Sequence, residues 1–147
     1  MRVIQLNTNH CATAQDLLLQ TICELKVDVA IICEQYKDLN KNVWERDTTG
    51  RAAVWACSNC AIEEGMKQQQ DGYARAKIGG VFIYSCYASP NIPIEDFARF
   101  VDNLVRDVSC HNPVIIGGDF NAWAVEWGSQ RTNAREKYFL MLSLNSI

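Results

Sequence analysis

Apolar residues recur along this chain in two rhythms, and each rhythm predicts a different element. Residues 12–25 place Ala14, Leu17, Leu18, Ile22 and Leu25 at helical spacing, the pattern of an amphipathic helix. Residues 94–108 do the same with Phe97, Val101, Leu104 and Val108, while Asp96, Arg99, Asp102 and Arg106 fall elsewhere on the wheel. Pro93 suits the first turn of that helix, where a missing N–H leaves nothing unpaired. Short apolar runs at 2–6, 27–33, 81–87 and 114–118 predict strands. The run 27–33 is continuous, which predicts a strand covered on both faces. Residues 73–78 and 81–87 read as two strands joined at Gly79-Gly80, and 52–57 with 60–66 as a hairpin turning at Ser58-Asn59. Residues 35–50 read as a long polar loop around Trp44, and 119–132 as a loop holding Trp123, Trp127 and Gly128. Asn133 and Glu136 have capping-box spacing and predict a last helix. No repeat or linker interrupts the 147 residues, so they read as one mixed α/β or α+β sheet domain.

Composition narrows the class. Hydrophobic residues at 48% and charged residues at 21% suit a globular chain with a sizeable core. No apolar run approaches the roughly 18 residues of a membrane span, and the N-terminus carries no signal-peptide core. A nuclear or cytoplasmic protein is expected, neither secreted nor membrane-bound. The net charge of -3 provides no global basic field. Acidic groups that hold a divalent cation nevertheless lower net charge while the cation restores positive charge locally. Cys11, Cys23, Cys33, Cys86 and Cys110 read as reduced thiols. Cys57-Ser58-Asn59-Cys60 has metal-ligand spacing, but four ligands are wanted and no second pair completes it, so it reads as two incidental thiols.

The candidate chemistry lies at the strand ends. The four strands at 2–6, 27–33, 81–87 and 114–118 deliver, in order, Asn7, Glu34, Tyr87, and Asp119 with Asn121. Sheets fix such positions while the following loops leave room for a ligand. If the four strands are neighbours running the same way, their polar ends meet at one rim. Carboxylates with amides nearby suit a hard ion such as magnesium and a phosphate oxygen. Gly117 and Gly118 then read as residues that let the backbone turn and a bulky substrate approach. Singly, each residue has a plainer reading: Asp119 and Asn121 as turn formers, Glu34 as a solvated strand end, Asn7 as a cap, Tyr87 as a packing ring. Their occurrence together and in order is the signal.

Gln5-Leu6-Asn7, Ile32-Cys33-Glu34-Gln35, Tyr87-Ala88-Ser89-Pro90-Asn91 and Gly117-Gly118-Asp119-Phe120-Asn121 resemble the ordered motifs of the endonuclease/exonuclease/phosphatase family. That family includes abasic-site endonucleases and DNase I. Segments such as "NTNHC", "AAVWAC" and "WGSQRTNAR" are most similar to the endonuclease domains of non-LTR retrotransposons. The likeness runs from Met1 to about Tyr138. It implies an α+β fold, a four-layer α/β/β/α sandwich of the DNase I-like type. It also implies a Mg2+-dependent nuclease that nicks DNA to prime reverse transcription, with a reverse transcriptase in the same chain of full-length relatives. Glu34 would ligate the metal with help from Asn7, Asp119 would deprotonate the attacking water, and Asn121 and Tyr87 would engage the scissile phosphate. Arg131, Asn133 and Arg135, with Thr132, follow the catalytic loop and would touch DNA. Arg75 and Lys77 alternate along one strand face and fit the same partner less strongly, while Trp123 and Trp127 read as packing under their loop, the favoured reading, or as meeting a base.

The sequence also departs from the family. Complete members continue into strands with a "TF" stretch, a Ser-x-x-Asp motif and a terminal Ser-Asp-His, and His10 and His111 match none of these. Glu136 stands where relatives commonly have glycine, and residues 142–147 match no family motif. The expectation is a fold incomplete at the C-terminal end, poorly stable alone and with little or no nicking activity. Two other readings stay open. One is a non-catalytic remnant that binds nucleic acid or protein. The other is a phospholipid or inositol phosphate hydrolase, which "WGSQRTNAR" speaks against.

Overall fold

The computed structural model describes residues 1–123, 125 and 128–138. They form two compact units: Met1–Tyr87 with Pro113–Gly118, and Ala88–Asn112 with Asp119 onward. The first unit carries β1 (Val3–Asn7), α1 (Ala12–Leu25), β2 (Val29–Cys33), β3 (Trp44–Arg46), β4 (Ala52–Ala56), β5 (Tyr73–Ile78) and β6 (Val81–Tyr87). The second carries α2 (Ile94–Val108). Strand β7 (Val114–Asp119) belongs to the first unit up to Gly118, and its last residue opens the second.

Two sheets result, in the orders β1-β2-β4-β3 and β5-β6-β7. Strand β1 runs parallel to β2, with Asn7 opposite Cys33, so Glu34 lies one residue past the pair. Strand β2 runs antiparallel to β4, and β5 to β6. Gly79 and Gly80 close the β5–β6 hairpin at φ +56° and +78°, the left-handed conformations that a two-residue turn requires. The Phe82 N–H donates to Pro113 O and the Ala88 N–H to Asp119 O, each at 2.9 Å. The offset is the same in both, so β6 and β7 run in one direction.

The periodicity explains the first unit's core. Ala30 and Ile32 of β2 join Leu18, Ile22, Val27, Trp44, Trp55 and Cys57 in a core on the α1 side. The alternate residues Val29 and Ile31 join Val54, Ala56, Ala74, Ala76, Ile78 and Ile83 between the two sheets. Strand β2 is buried along its whole length, as the continuous apolar run predicts. Each fully buried Ile or Leu here contributes about 1.5–3 kcal/mol. Among the described residues β1 is an edge strand of its sheet, and Val3 and Leu6 are exposed on it.

Several expectations are corrected. Residues 60–66 form no strand, and β4 pairs with β3 and β2 instead; a local turn at Ser58 and Asn59 cannot outcompete an extended strand buried on two sides. The loop 35–50 contains β3, whose Trp44 meets Trp55 at 5.9 Å between ring centroids. Helix α1 buries Leu18 and Ile22 but exposes Leu17 and Leu25, and turns the polar Gln15 inward. Arg75 is buried, its guanidinium 6.0 Å from the Phe82 ring centroid, so it is no surface charge. The four strands that carry the candidate residues are not neighbours in one sheet: β1 and β2 share one, β6 and β7 the other. The last helix is visible as a turn at Ala134-Arg135 and helical residues 136–138. Its continuation, the unmatched stretch 142–147 and Trp127 lie outside the described residues.

Burial also acts on the thiols. It pushes the Cys57 thiol from 9.0 up to about 12, and holds the enclosed Cys86 thiol well above its usual value. The unfolded chain would release the Cys57 proton near pH 9, whereas the folded chain retains it until about pH 12. Stability is therefore expected to fall as pH rises through that window. Urea midpoints at neutral pH and above pH 9 check this. Cys57→Ala should make the alkaline decline shallower, and an unchanged decline would contradict the assignment.

Candidate active site

In the first unit a cluster forms around Glu34, the residue that follows β2. Its φ of +51° is left-handed, a conformation that costs a non-glycine residue about 1–3 kcal/mol and persists only where the surroundings impose it. The surroundings are identifiable. The Glu34 N–H donates to Arg51 O at 2.8 Å, and Glu34 O accepts from the His10 N–H at 2.7 Å and the Thr8 hydroxyl at 2.6 Å. Gln15 of α1 then secures the outgoing chain: its Oε1 accepts from the N–H groups of Tyr36 and Lys37, and its Nε2 donates to Lys37 O at 2.9 Å.

The carboxylate is held as firmly as the backbone. The Tyr87 hydroxyl donates to Glu34 Oε1 at 2.8 Å, and Asn7 Nδ2 donates to Oε2 at 3.1 Å. His10 Nε2 lies 3.7 Å from Oε1, while His10 Nδ1 lies 3.1 Å from Gln35 O; facing a carbonyl, that nitrogen carries the proton. The Arg51 guanidinium stands 5.9 Å from the Tyr87 ring centroid. Asn7 Oδ1 accepts from the Asn9 N–H at 2.8 Å, so the amide directs its nitrogen, not its oxygen, at Glu34. Asn7 and Tyr87 thus act here by orienting the carboxylate.

Gly117 and Gly118 have a different explanation from the one their sequence suggests. A Cβ on Gly118 would fall 1.9 Å from Cys86 O, and one on Gly117 2.6 Å from Gln5 Oε1. The chain needs glycine there for close packing of its own strands, so room for a substrate is not required to account for them.

In the second unit Asp119 and Asn121 lie on a strained turn. Asn121 has φ +48°. Its N–H donates to Asp119 Oδ1 at 3.0 Å, and its Nδ2 to Ala88 O at 2.9 Å. Asn133 closes the loop: Oδ1 accepts from the Trp123 and Arg135 N–H groups, and Nδ2 donates to Asn121 O at 2.8 Å. Its bond to Arg135 N–H is that of a helix N-cap. Arg135, expected at DNA, is instead buried. Its guanidinium donates to the carbonyls of Ala88, Phe120, Ser89 and Ile92 and lies 4.7 Å from the Phe97 ring centroid. Burial lowers its pKa, and the charge of Asp119 opposes that shift. A guanidinium so committed positions the loop that follows Tyr87. Arg131 remains outside, over the exposed ring of Trp123, which overturns the expectation that Trp123 packs under its loop.

Comparison with solved structures identifies the fold. The endonuclease domain of TRAS1, a telomere-specific non-LTR retrotransposon, superposes with a TM-score of 0.78 at 21% identity, over 96% of this chain and 68% of that one. The chain has the fold of the endonuclease/exonuclease/phosphatase family. It is the DNase I-like sandwich. The 3′ phosphatase NExo from Neisseria, solved with a product DNA hairpin, matches at 0.70 and 14% identity over 99% of this chain and 71% of its own. An AP endonuclease from Archaeoglobus fulgidus matches at 0.56 and 15% identity, over 82% and 56%. Residues 81–146 match the family model described as endonuclease-reverse transcriptase. No curated protein sequence matches.

Within this DNase I-like fold, four supporting residues escape sequence reasoning. Gln15 leaves a trace, a polar residue beside the apolar stripe of α1. His10, Asp47 and Arg51 leave none, because loops alone bring them to Glu34 or to its neighbours. Among the described residues no three His, Cys, Asp or Glu side chains gather as a metal cluster, and no helix is long and apolar enough to cross a membrane.

Proposed function

We propose that this chain is a magnesium-dependent phosphodiesterase module that acts on DNA and leaves a 3′ hydroxyl able to prime reverse transcription. One observation carries the reading. A single carboxylate, Glu34, is fixed at a strained backbone position by a tyrosine and an asparagine. Magnesium is commonly held by one or two carboxylates while keeping several waters, so this donor set fits it. Glu34 would be the ligand and Asn7 would assist through a water. Bound magnesium would supply positive charge against the transition state and the leaving 3′ oxygen.

The remaining roles belong to the chain itself. Asp119, oriented by the Asn121 N–H on its Oδ1, would take the proton from the attacking water. Asn121 would donate from its amide to a non-bridging phosphate oxygen, and the Tyr87 hydroxyl would turn its one proton from Glu34 to the same phosphate when substrate binds. Arg131 would contact the DNA backbone. Support for the partner comes from the descriptions of the matches: a retrotransposon endonuclease, a 3′ phosphatase solved with a product DNA hairpin, and a family described as endonuclease-reverse transcriptase. A reverse transcriptase domain in a longer chain, and action in the nucleus or cytoplasm, complete the proposal.

Two measurements test this. Magnesium should raise the melting temperature of the wild type and not of Glu34→Gln; equal shifts in both would remove Glu34 as a ligand. On supercoiled plasmid, nicking should vanish with a chelator and fall at least about a hundredfold in Asp119→Ala. Nicking undiminished in Asp119→Ala would refute its role as the base. Hydrolysis of inositol phosphates or phospholipid head groups, with plasmid untouched, would refute DNA as the substrate.

A further inference from the structure

The loop of the second unit between Asn121 and Asn133 holds an open cavity of about 520 Å³ lined by Trp123, Gly128, Ser129, Gln130 and Arg131. We infer that this cavity is a stacking subsite for a nucleobase of the bound DNA. The inference rests on the DNA reading above and deepens it, because it assigns recognition to residues with no part in the proposed chemistry.

Trp123 is the first argument. The indoles of Trp44 and Trp55 are 4% and 9% exposed and belong to the core, whereas Trp123 is 38% exposed. A single exposed ring is ordinary on a protein surface, and what distinguishes this one is that it lines the cavity. The Arg131 guanidinium lies over it, 5.2 Å from the ring centroid. An aromatic face beside a stacked guanidinium suits a planar base, and the cation suits the neighbouring phosphate.

The second argument is rigidity. Asn133 Oδ1 accepts from the Trp123 N–H at 3.1 Å, the Asn133 N–H returns to Trp123 O at 2.8 Å, and the Thr132 hydroxyl accepts from the Val125 N–H at 3.2 Å. These bonds fix the Trp123 side of the cavity before any ligand arrives, which lowers the ordering entropy lost there on binding. The third is the cavity's chemistry. Ser129 and Gln130 bring donors and acceptors able to meet a base edge. Among the described residues a Cβ added at Gly128 would meet nothing within 4 Å. The volume falls within the usual range of small-molecule sites, about 300–1,000 Å³.

The test uses the full chain and a dye-labelled oligothymidylate, with affinity read by fluorescence anisotropy. Trp123→Leu keeps apolar bulk but removes the aromatic face, and should weaken binding about tenfold. Trp123→Phe should restore most of the affinity. Arg131→Gln should weaken binding and lower the slope of log K against log salt by about one. A circular dichroism spectrum and melting temperature unchanged from wild type would establish that each variant is folded. Binding by Trp123→Leu equal to wild type would overturn the subsite and leave the DNA reading intact. Wild-type protein with no salt-dependent affinity for the oligonucleotide would overturn both.

Discussion

Gly118→Ala is expected to destabilise the protein by about 4 kcal/mol or more, which is a large share of the ~5–15 kcal/mol that usually holds a domain together. Position 118 has φ +136°, a region in which side chains other than hydrogen are strained. The added Cβ would also meet Cys86 O at 1.9 Å, and Cys86 C and N at 2.7 Å. These are backbone atoms of the adjacent strand and cannot step aside as a side-chain tip can. Two other glycines calibrate the effect. A Cβ on Gly80 meets nothing within 4 Å, so Gly80→Ala should cost only the left-handed penalty of about 1–2 kcal/mol. At Gly117 the obstacles are the side-chain atoms Gln5 Oε1 and Ile31 Cδ1, which places its alanine variant between the two. Urea denaturation of the three variants should therefore rank them 118, 117, 80. A Gly118→Ala midpoint near that of the wild type would disprove the close approach of β7 to β6.

The second large effect is expected at Asp47, which is fully buried. Its Oδ1 accepts from the N–H groups of Arg51 and Ala52, and its Oδ2 from the Gly72 N–H at 3.0 Å and the Thr49 hydroxyl. Alanine removes every one of these acceptors and leaves the buried Ala52 N–H and the partly buried Arg51 and Gly72 N–H groups without them. Each such orphan costs about 1–3 kcal/mol, so a total loss of about 3–5 kcal/mol is expected. An asparagine side chain keeps one acceptor oxygen, so Asp47→Asn should lose roughly half as much. The effect should also reach Glu34, whose N–H donates to Arg51 O at 2.8 Å. In Asp47→Asn the magnesium-dependent rise in melting temperature should shrink even though the substituted group touches no proposed ligand. An Asp47→Ala stability within about 1 kcal/mol of wild type would show that water replaces the carboxylate, and the site would then not depend on this turn.

The sequence by itself determined the elements whose signal is local. Helices at Ala12–Leu25 and Ile94–Val108 were legible because a 3.6-residue repeat is written in consecutive residues. So were β2, with its unbroken apolar run, and the β5–β6 hairpin, with two glycines where the turn needs left-handed residues. The ordered motifs around Asn7, Glu34, Tyr87 and Asp119 pointed to the fold that the structural comparison shows. What the tertiary structure decided was which strand pairs with which, and what each polar side chain faces. Residues 60–66 looked able to pair with β4, but pairing is settled by burial on both faces, and β2 offered it more surface. Arg135 and Arg131 look alike in "WGSQRTNAR"; one is buried against four carbonyls and the other lies exposed over an indole. Asp47 and Gln15 act across long stretches of chain, through hydrogen bonds that exist only once the backbone has folded. Periodicity is a property of neighbours in sequence, whereas desolvation and hydrogen-bond partnership are properties of neighbours in space.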